Sequence, residues 1–513
     1  MSNYDDASLI MFPSGYKEDK IYSLKPTDGS GDLTFTRAST ATRVNSDGLI
    51  ETSPVNLLQQ SNSFDTTWLS NGTTETSGQS GYDGSSNAWL LTATATSNAY
   101  IYETLTLNSA QTLSIYAKAN TASFIELVTI GAASNPRAWF NLSTGSVGTS
   151  YNTIDANITS VGNGWYRCSV ALTENVTNYR FYVADGDNST AVTNGNSIYI
   201  QDAQLNSGST ALPYFATTTR LNLARVDYKD NVNGSLLLEP QRTNLFTYSS
   251  EFDNAAWGKT TSGSAAAPVV TANYAISPDG TQNADRVYFD AVGVSSSDRS
   301  GLVQNFAFTT GQVYTISAYA KSATGVNQIL QFRVAGAQVG GELIATSEWK
   351  RFNVTFTATA TTTDNFGIQL RGDNTSNESD LILYGLQLEL GSYSTSYIKS
   401  EGAATTRLAD SCSKTGISDK IGQTEGTVMV EVEYSTLSGL DMFLSIRPNS
   451  SNKIEIYRDG ANIYGEISAS GVSFGISTSK SIGTHKIALA YKSGSSALYI
   501  DGALVNQNTT AFS

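Results

Sequence analysis

A set of five sequence segments occurs twice along this chain of 513 residues, in the same order each time. The matching segments, first copy before second, are Asn56-Leu57-Leu58 with Trp68 and Asn244-Leu245-Phe246 with Trp257, Asp83-Gly84 and Asp279-Gly280, Leu113–Lys118 and Ile316–Lys321, Trp165–Val170 and Trp349–Val354, and Gln204-Leu205 and Gln387-Leu388. Asn244 follows Asn56 by 188 residues, and Gln387 follows Gln204 by 183 residues. The pattern indicates a duplicated domain whose copies differ by small loop insertions and deletions.

Apolar and polar residues alternate within the shared segments. Leu113, Ile115 and Ala117 alternate with Ser, Tyr and Lys, and the second copy repeats this with Ile316 and Ala318. A period of two is typical of a strand with one buried and one solvent-facing side. With a composition rich in Ser, Thr, Asn, Gly and Tyr, the pattern predicts an all-β protein.

Charge and rare residues exclude several functions. A net charge of −14 argues against a nucleic-acid groove, which needs clustered Lys and Arg. His485 is the one histidine, so Ser-His-Asp catalysis and multi-histidine zinc sites have almost no material. Cys168 and Cys412 fall in different predicted modules, which excludes a disulfide framework, and Cys168 is interpreted as a small core residue. We therefore expect no enzyme activity and no cofactor.

A Thr-Arg-apolar tripeptide near the start of each predicted module indicates linkers or inter-domain clamps: Thr42-Arg43-Val44, Thr219-Arg220-Leu221 and Thr406-Arg407-Leu408. These marks divide the chain into an N-terminal segment, two homologous sandwiches and a C-terminal module, at residues 1–50, 51–215, 216–400 and 401–513.

Two pairs of stretches carry a resemblance to bacteriophage proteins. Leu236–Asn244 with Phe252–Trp257 resembles the start of a carbohydrate-binding-module-like jelly roll of phage tail and head fibres, and Asp6–Gly15 with Phe35–Ser39 resembles the opening of phage structural proteins. The resemblance implies tandem antiparallel β-sandwiches of the jelly-roll kind, docking of residues 1–50 to other virion proteins, and a homotrimer. It also implies a location on the tail or capsid surface. The start of the chain does not resemble a secretory signal, so we expect synthesis in the host cytoplasm.

The C-terminal module reads as a meander of antiparallel hairpins. Thr484–Tyr491 with Leu498–Gly502 is similar to the paired strands of laminin G or concanavalin A-like sandwiches, in which His485 takes a packing position. The chain stops soon after Val505, whereas that family needs further strands. The module is therefore expected to be incomplete or to be completed by a partner chain.

Sugar binding in sandwich modules relies on Trp and Tyr faces. Trp89, Trp139 and Tyr182 have no evident aromatic counterpart in the second copy and lie beside polar loops, which makes them the candidate glycan contacts, although burial is the commoner fate of a Trp. Asp185–Asn188 carries closely spaced oxygen ligands for a structural calcium, but an ordinary loop is favoured.

Three functional hypotheses follow. The favoured one is a phage fibre or appendage whose sandwiches bind glycans on the host surface, with no membrane insertion and no nucleic-acid partner. The second is a tail-associated polysaccharide depolymerase, although no segment is left over for a catalytic part. The third is a purely architectural capsid or tail component.

Overall fold

The computed structural model describes residues 3–53, 56–107, 111–131, 134–172, 176–207, 209–219, 221–229, 232–334, 337–338, 341–434, 436–437 and 439–512. Arg220 of the second Thr-Arg-apolar tripeptide lies outside them. The helical elements of the described part are α1 at Asn3–Asp6 and a 3₁₀ turn at Ser418–Lys420. Neither of these is long and apolar enough to cross a membrane. The rest of the regular structure is β, as the composition predicts.

The first copy folds into two facing sheets. The preceding N-terminal strands are β1 Ile10–Lys17, β2 Lys20–Lys25, β3 Leu33–Thr36, β4 Ala41–Val44 and β5 Ile50–Ser53. The first sandwich comprises β6 Leu69–Asn71, β7 Thr73–Gln79, β8 Ala88–Ala93, β9 Tyr100–Leu107, β10 Gln111–Ala119, β11 Phe124–Ile130, β12 Arg137–Asn141, β13 Ser146–Tyr151, β14 Asp155–Gly162, β15 Trp165–Leu172, β16 Val176–Ala184 and β17 Ser197–Ser207. Sheet 1A has the order β14-β15-β10-β17-β8-β7, and sheet 1B has the order β13-β12-β11-β16-β9-β6.

The second copy repeats this arrangement. After β18 Val226–Asp227, β19 Ser235–Leu236 and β20 Arg242–Asn244 come β21 Gly258–Ser262, β22 Ala266–Ala275, β23 Ala284–Asp290, β24 Arg299–Phe308, β25 Val313–Ser322, β26 Gln328–Leu330, β27 Phe332–Val334, β28 Ala337–Gln338, β29 Leu343–Ala345, β30 Lys350–Thr357, β31 Thr362–Arg371 and β32 Glu378–Leu390. Sheet 2A reads β30-β25-β32-β23-β22 and sheet 2B reads β28-β27-β31-β24-β21. Each strand of sheets 2A and 2B occupies the place of its counterpart in sheets 1A and 1B, while β26 and β29 form a separate two-stranded sheet.

The fold class is confirmed as all-β with tandem antiparallel sandwiches. The expectation of small loop differences between the copies is wrong at one place. Strands β13 and β14 extend sheets 1B and 1A, and sheets 2B and 2A have no counterpart for them among the described residues. The reason is visible in the spacing: 52 residues separate Leu113 from Trp165, against 33 between Ile316 and Trp349.

Each sandwich has its own apolar core. Trp68 and Trp257 lie in these cores and donate through Nε1 to the carbonyls of Gln60 and Tyr248. Cys168 is fully buried in the first core, and burial raises the pKa of its thiol, as expected for a packing residue.

The chain between the modules forms a small hub with the N-terminal strands. After β33 Thr405–Arg407 and β34 Ser411–Ser413, the hub is defined as β1–β5, β18–β20, β33 and β34. In it, β3 pairs with β34 and β20 pairs with β33, so the N-terminal segment is joined by backbone hydrogen bonds to residues near 411.

A buried ionic network holds the hub together. The guanidinium groups of Arg37 and Arg225 donate to Asp410 at 2.7 and 2.5 Å, and those of Arg225 and Arg407 donate to Glu239 at 2.8 and 2.6 Å. All three arginines are at most 2% exposed. Breaking such a network by removing one partner leaves an uncompensated buried charge. Arg407 of the third Thr-Arg-apolar tripeptide is thus one of the three arginines of this network and contacts Glu239 from a distant part of the chain.

The C-terminal module has two described four-stranded sheets, ordered β35-β40-β41-β42 and β36-β37-β38-β39. Its strands are β35 Glu425–Tyr434, β36 Leu440–Asn449, β37 Asn452–Asp459, β38 Asn462–Ala469, β39 Val472–Ser479, β40 Gly483–Lys492, β41 Ser496–Ile500 and β42 Ala503–Asn508. The sheets enclose one apolar core. His485 is 9% exposed and is hydrogen-bonded to Asp501 and to the carbonyl of Ser481, which fits the packing position expected for it.

Candidate functional site

Two buried asparagines show which positions of the two sandwiches are equivalent. Asn56 and Asn244 are fully buried, and each side chain makes four hydrogen bonds to backbone groups of its own sandwich. Three residues later, the N–H of Gln59 donates to Glu103 and the N–H of Thr247 donates to Gln304. Glu103 on β9 therefore corresponds to Gln304 on β24.

The strand register carries this equivalence across sheets 1B and 2B. Tyr100, Tyr102, Glu126, Val128, Arg180 and Tyr182 correspond in turn to Gly301, Val303, Gln331, Arg333, Gly367 and Gln369. Their sequence neighbours, such as Ile101 and Leu302, lie in the cores. Because side chains alternate along a strand, these twelve positions lie on the outer faces of the two sheets.

The outer face of sheet 1B is rich in aromatic rings. We call it the aromatic face and define it as Tyr100, Tyr102, Glu126, Trp139, Arg180 and Tyr182. The ring centroids of Tyr100 and Tyr182 are 4.4 Å apart, and those of Tyr100 and Tyr102 are 5.7 Å apart. The guanidinium carbon of Arg180 lies 4.6 Å from the ring centroid of Tyr100, within cation–π range.

Glu126 lies at the centre of the aromatic face. In the strand register it lies opposite Trp139 of β12 on one side and opposite Tyr182 of β16 on the other. Its exposed fraction is 1%. Its Oε1 is 3.8 Å from Nη1 of Arg137, and its Oε2 has no hydrogen-bond partner. Burial raises the pKa of this carboxyl to about 7, against an attraction by Arg137 and Arg180 that lowers it. A buried carboxyl with an unsatisfied oxygen suits a ligand group that donates a hydrogen bond.

Two of the three predicted glycan contacts are thus brought together, but in a different role from the one expected. Trp139 and Tyr182 are 2% and 6% exposed. Trp139 donates through Nε1 to the carbonyl of Ser189 and lies beside Glu126. Because its ring is buried, it offers no free face to a sugar. The partly exposed rings are those of Tyr100 and Tyr102. Their spacing of two residues in a strand-forming segment was the signal that could have identified them.

The expectation for Trp89 is wrong. It is 7% exposed, packs in the first core with its ring centroid 6.0 Å from that of Phe64, and donates to the carbonyl of Asn62. The position that follows the shared Asn-Ala pair in the second copy is Asp285, which is also buried and accepts hydrogen bonds from backbone N–H groups. The missing aromatic counterpart therefore reflects a substitution inside the core.

The calcium candidate is an internally hydrogen-bonded loop. The carboxylate of Asp185 accepts from Thr193 and Asn196, and that of Asp187 accepts from the N–H and hydroxyl of Thr149. The loop also supplies the Ser189 carbonyl to Trp139. These contacts favour the ordinary-loop interpretation.

The outer face of sheet 2B has a different chemistry at the same positions. We call it the arginine face and define it as Arg299, Gln331, Arg333, Gln369 and Arg371. Glycines stand where Tyr100 and Arg180 stand in the first sandwich. No aromatic side chain belongs to this set.

Comparisons with known proteins find solved structures that are only distantly similar to this chain. No protein-family model matches the chain, and no curated protein matches it. Among solved structures, the chain is similar to the tandem CBM22 modules of Xyn10C from Paenibacillus barcinonensis at 10% identity, with 66% of this chain and 96% of that one covered and a TM-score of 0.21. It is also similar to the tandem CBM51 modules of a family 98 glycoside hydrolase from Streptococcus pneumoniae at 14% identity, with 69% and 100% covered and a TM-score of 0.19. Likenesses at these TM-scores assign no function.

Proposed function

We propose that the aromatic face of the first sandwich binds a carbohydrate. The observation that carries the proposal is the unpartnered Oε2 of Glu126, which is buried at the centre of a cluster of aromatic rings. A sugar hydroxyl would donate to this oxygen. The amphipathic rings of Tyr100 and Tyr102 would contact the apolar face of the sugar. Arg180 would donate hydrogen bonds to oxygens of the sugar.

Binding without catalysis is part of the proposal. Hydrolysis of a glycosidic bond generally uses two carboxyl groups about 5–10 Å apart on either side of the bond. Glu126 is the one carboxylate among the residues that define the aromatic face. Its raised pKa, to about 7, follows from burial and needs no catalytic role.

The finer proposal is that the chain belongs to a phage tail or head appendage and attaches to glycans on the host surface. It rests on the resemblance of Leu236–Asn244 and the N-terminal stretches to phage proteins. Docking of residues 1–50 to other virion proteins is compatible with Phe12, Tyr22 and Leu24, which are 56%, 41% and 45% exposed on β1 and β2. A homotrimer is proposed on the resemblance alone.

A glycan array with the full chain tests the sugar-binding proposal. We expect binding to at least one neutral saccharide, an affinity about tenfold lower for Glu126→Gln and for Tyr100→Ala, and no change for Tyr274→Ala, which removes an exposed tyrosine from sheet 2A. Equal binding by all four proteins would contradict the proposal. Sustained release of new reducing ends that stops in Glu126→Gln would replace binding with catalysis.

A further inference from the structure

The arginine face brings three cations together, and the carboxylates that attract them, Asp373 and Glu342, lie beyond ion-pair distance. Within the described ranges, none of Arg299, Arg333 and Arg371 forms an ion pair, and the adjoining residues 334–340 include no Asp or Glu. Arg333 is 5% exposed, whereas Arg299 and Arg371 are partly exposed.

Several buried donors on this face have no hydrogen-bond partner. They are Nε and Nη2 of Arg371, Nε of Arg333 and Nε2 of Gln331. The two free nitrogens of Arg371 lie on the same edge of the guanidinium, which is the fork that binds two carboxylate oxygens at once. Unmet buried donors are costly, so a ligand that accepts from them gains affinity.

The electrostatics favour an anion. Burial, and next the repulsion from Arg371, lowers the pKa of Arg333 to about 10. Attraction by Asp373 and Glu342 opposes this lowering without outweighing it, and Glu342 also accepts hydrogen bonds from Asn374 and Thr375. A negative charge on the ligand would offset the mutual repulsion of the arginines.

One unpaired group on this face is a hydrogen-bond acceptor. Oε1 of Gln369 is buried and has no partner, although every other unmet group of the face is a donor. A simple inorganic anion would satisfy the arginines and leave this oxygen unpaired. A molecule with a hydroxyl beside its carboxylate would satisfy both. Glycine at 301 and 367, where the first sandwich has Tyr100 and Arg180, removes the side chains that cover the equivalent place.

We propose that the arginine face is a second binding site, specific for the carboxylate of an acidic saccharide such as a uronate or sialate. Arg371 holds the carboxylate through its fork, Arg333 and Arg299 add positive charge, and Gln369 accepts from a neighbouring hydroxyl. The inference is independent of the neutral-sugar site proposed for the aromatic face.

Calorimetric titration of the full chain with a panel of uronate and sialate trisaccharides and their neutral methyl esters tests this site. We expect at least one acid to bind, its methyl ester to bind at least tenfold more weakly, and its affinity to fall as salt is raised. Arg371→Gln should lower the affinity at least tenfold. Arg371→Lys, which keeps the charge and loses the fork, should also weaken binding. Arg286→Gln is the matched control, because Arg286 is paired with Asp380 on sheet 2A.

The alternatives give distinct results. Equal affinity for sodium acetate or sulfate would mean an adventitious ion only, and preference for a sulfated trisaccharide would overturn the carboxylate assignment. No binding to any acid in the panel would overturn the site altogether. Glu126→Gln and Tyr100→Ala should bind the acid as the parent chain does, so failure of one site is distinguishable from failure of the other.

Discussion

The two sandwiches share a strand order and buried anchors, yet their equivalent outer faces differ in nearly every side chain. Asn56 and Asn244 make the same four backbone hydrogen bonds. By contrast, the position of Glu126 is occupied by Gln331 in the second sandwich, and the position of Val128 by Arg333. After duplication, the buried groups are constrained by packing and hydrogen bonding. The outer faces lie outside the two shared apolar cores, and their side chains differ between the copies even where they are buried.

The largest expected effect tests the shared part. Asn56→Ala and Asn244→Ala should each destabilise their own sandwich by at least about 4 kcal/mol, because four buried backbone groups lose their partner in each. Denaturant unfolding with hydrogen exchange in β17 and β32 measures this. Asn157→Ala, on the exposed side of β14, is the control. A large loss of stability in only one of the two variants would contradict the equivalence of Asn56 and Asn244.

A reciprocal exchange tests the two faces. The pKa of Glu126 in the folded chain is about 7, above the usual 4.5, so the folded state holds the proton more tightly. The stability that Glu126 contributes is therefore present below pH 4.5 and is lost as the pH rises to about 7, at up to about 1.4 kcal/mol per pH unit. Glu126→Gln should remove this slope.

Gln331→Glu should act in the opposite sense. A carboxylate beside Arg333 and Arg371 should have a lowered pKa, so its stabilisation should be present at neutral pH and be lost on acidification. Thermal unfolding between pH 4 and 8 compares each variant with the parent chain. The pKa values of Asp202 and Asp285, both raised to about 6, cancel in that difference. Slopes that shift in the same direction in both variants would contradict the opposite electrostatics of the faces.

The smallest effect concerns a ring at the edge of the aromatic face. Tyr102→Val introduces the residue found at the equivalent position 303, and we expect it to change the free energy of unfolding by no more than about 0.5 kcal/mol. Binding of a neutral saccharide should nevertheless weaken. A loss of more than about 2 kcal/mol in chemical denaturation would instead make Tyr102 a structural residue.

Much of the fold could be predicted because strands and duplication leave local signals. The alternation around Leu113 and Ile316 identifies β10 and β25 and the faces that they bury. The spacing between the shared segments also contains the two extra strands β13 and β14, although the sequence alone predicts only small loop differences there. The candidate site was harder to predict, because a lone Trp carries the same local signal in a core as on a surface.

By itself, the sequence determined that the chain is built of strands, that one module occurs twice, and that Cys168 belongs to a core. Those properties follow from the order of the repeated segments and from the alternation of apolar and polar residues. Only the tertiary structure decided that Trp89 faces inward, that Glu126 lies between Trp139 and Tyr182, and that Arg37, Arg225 and Arg407 meet in one hub. Each of these depends on strand register or on contacts between residues more than a hundred positions apart, which periodicity along the chain does not encode.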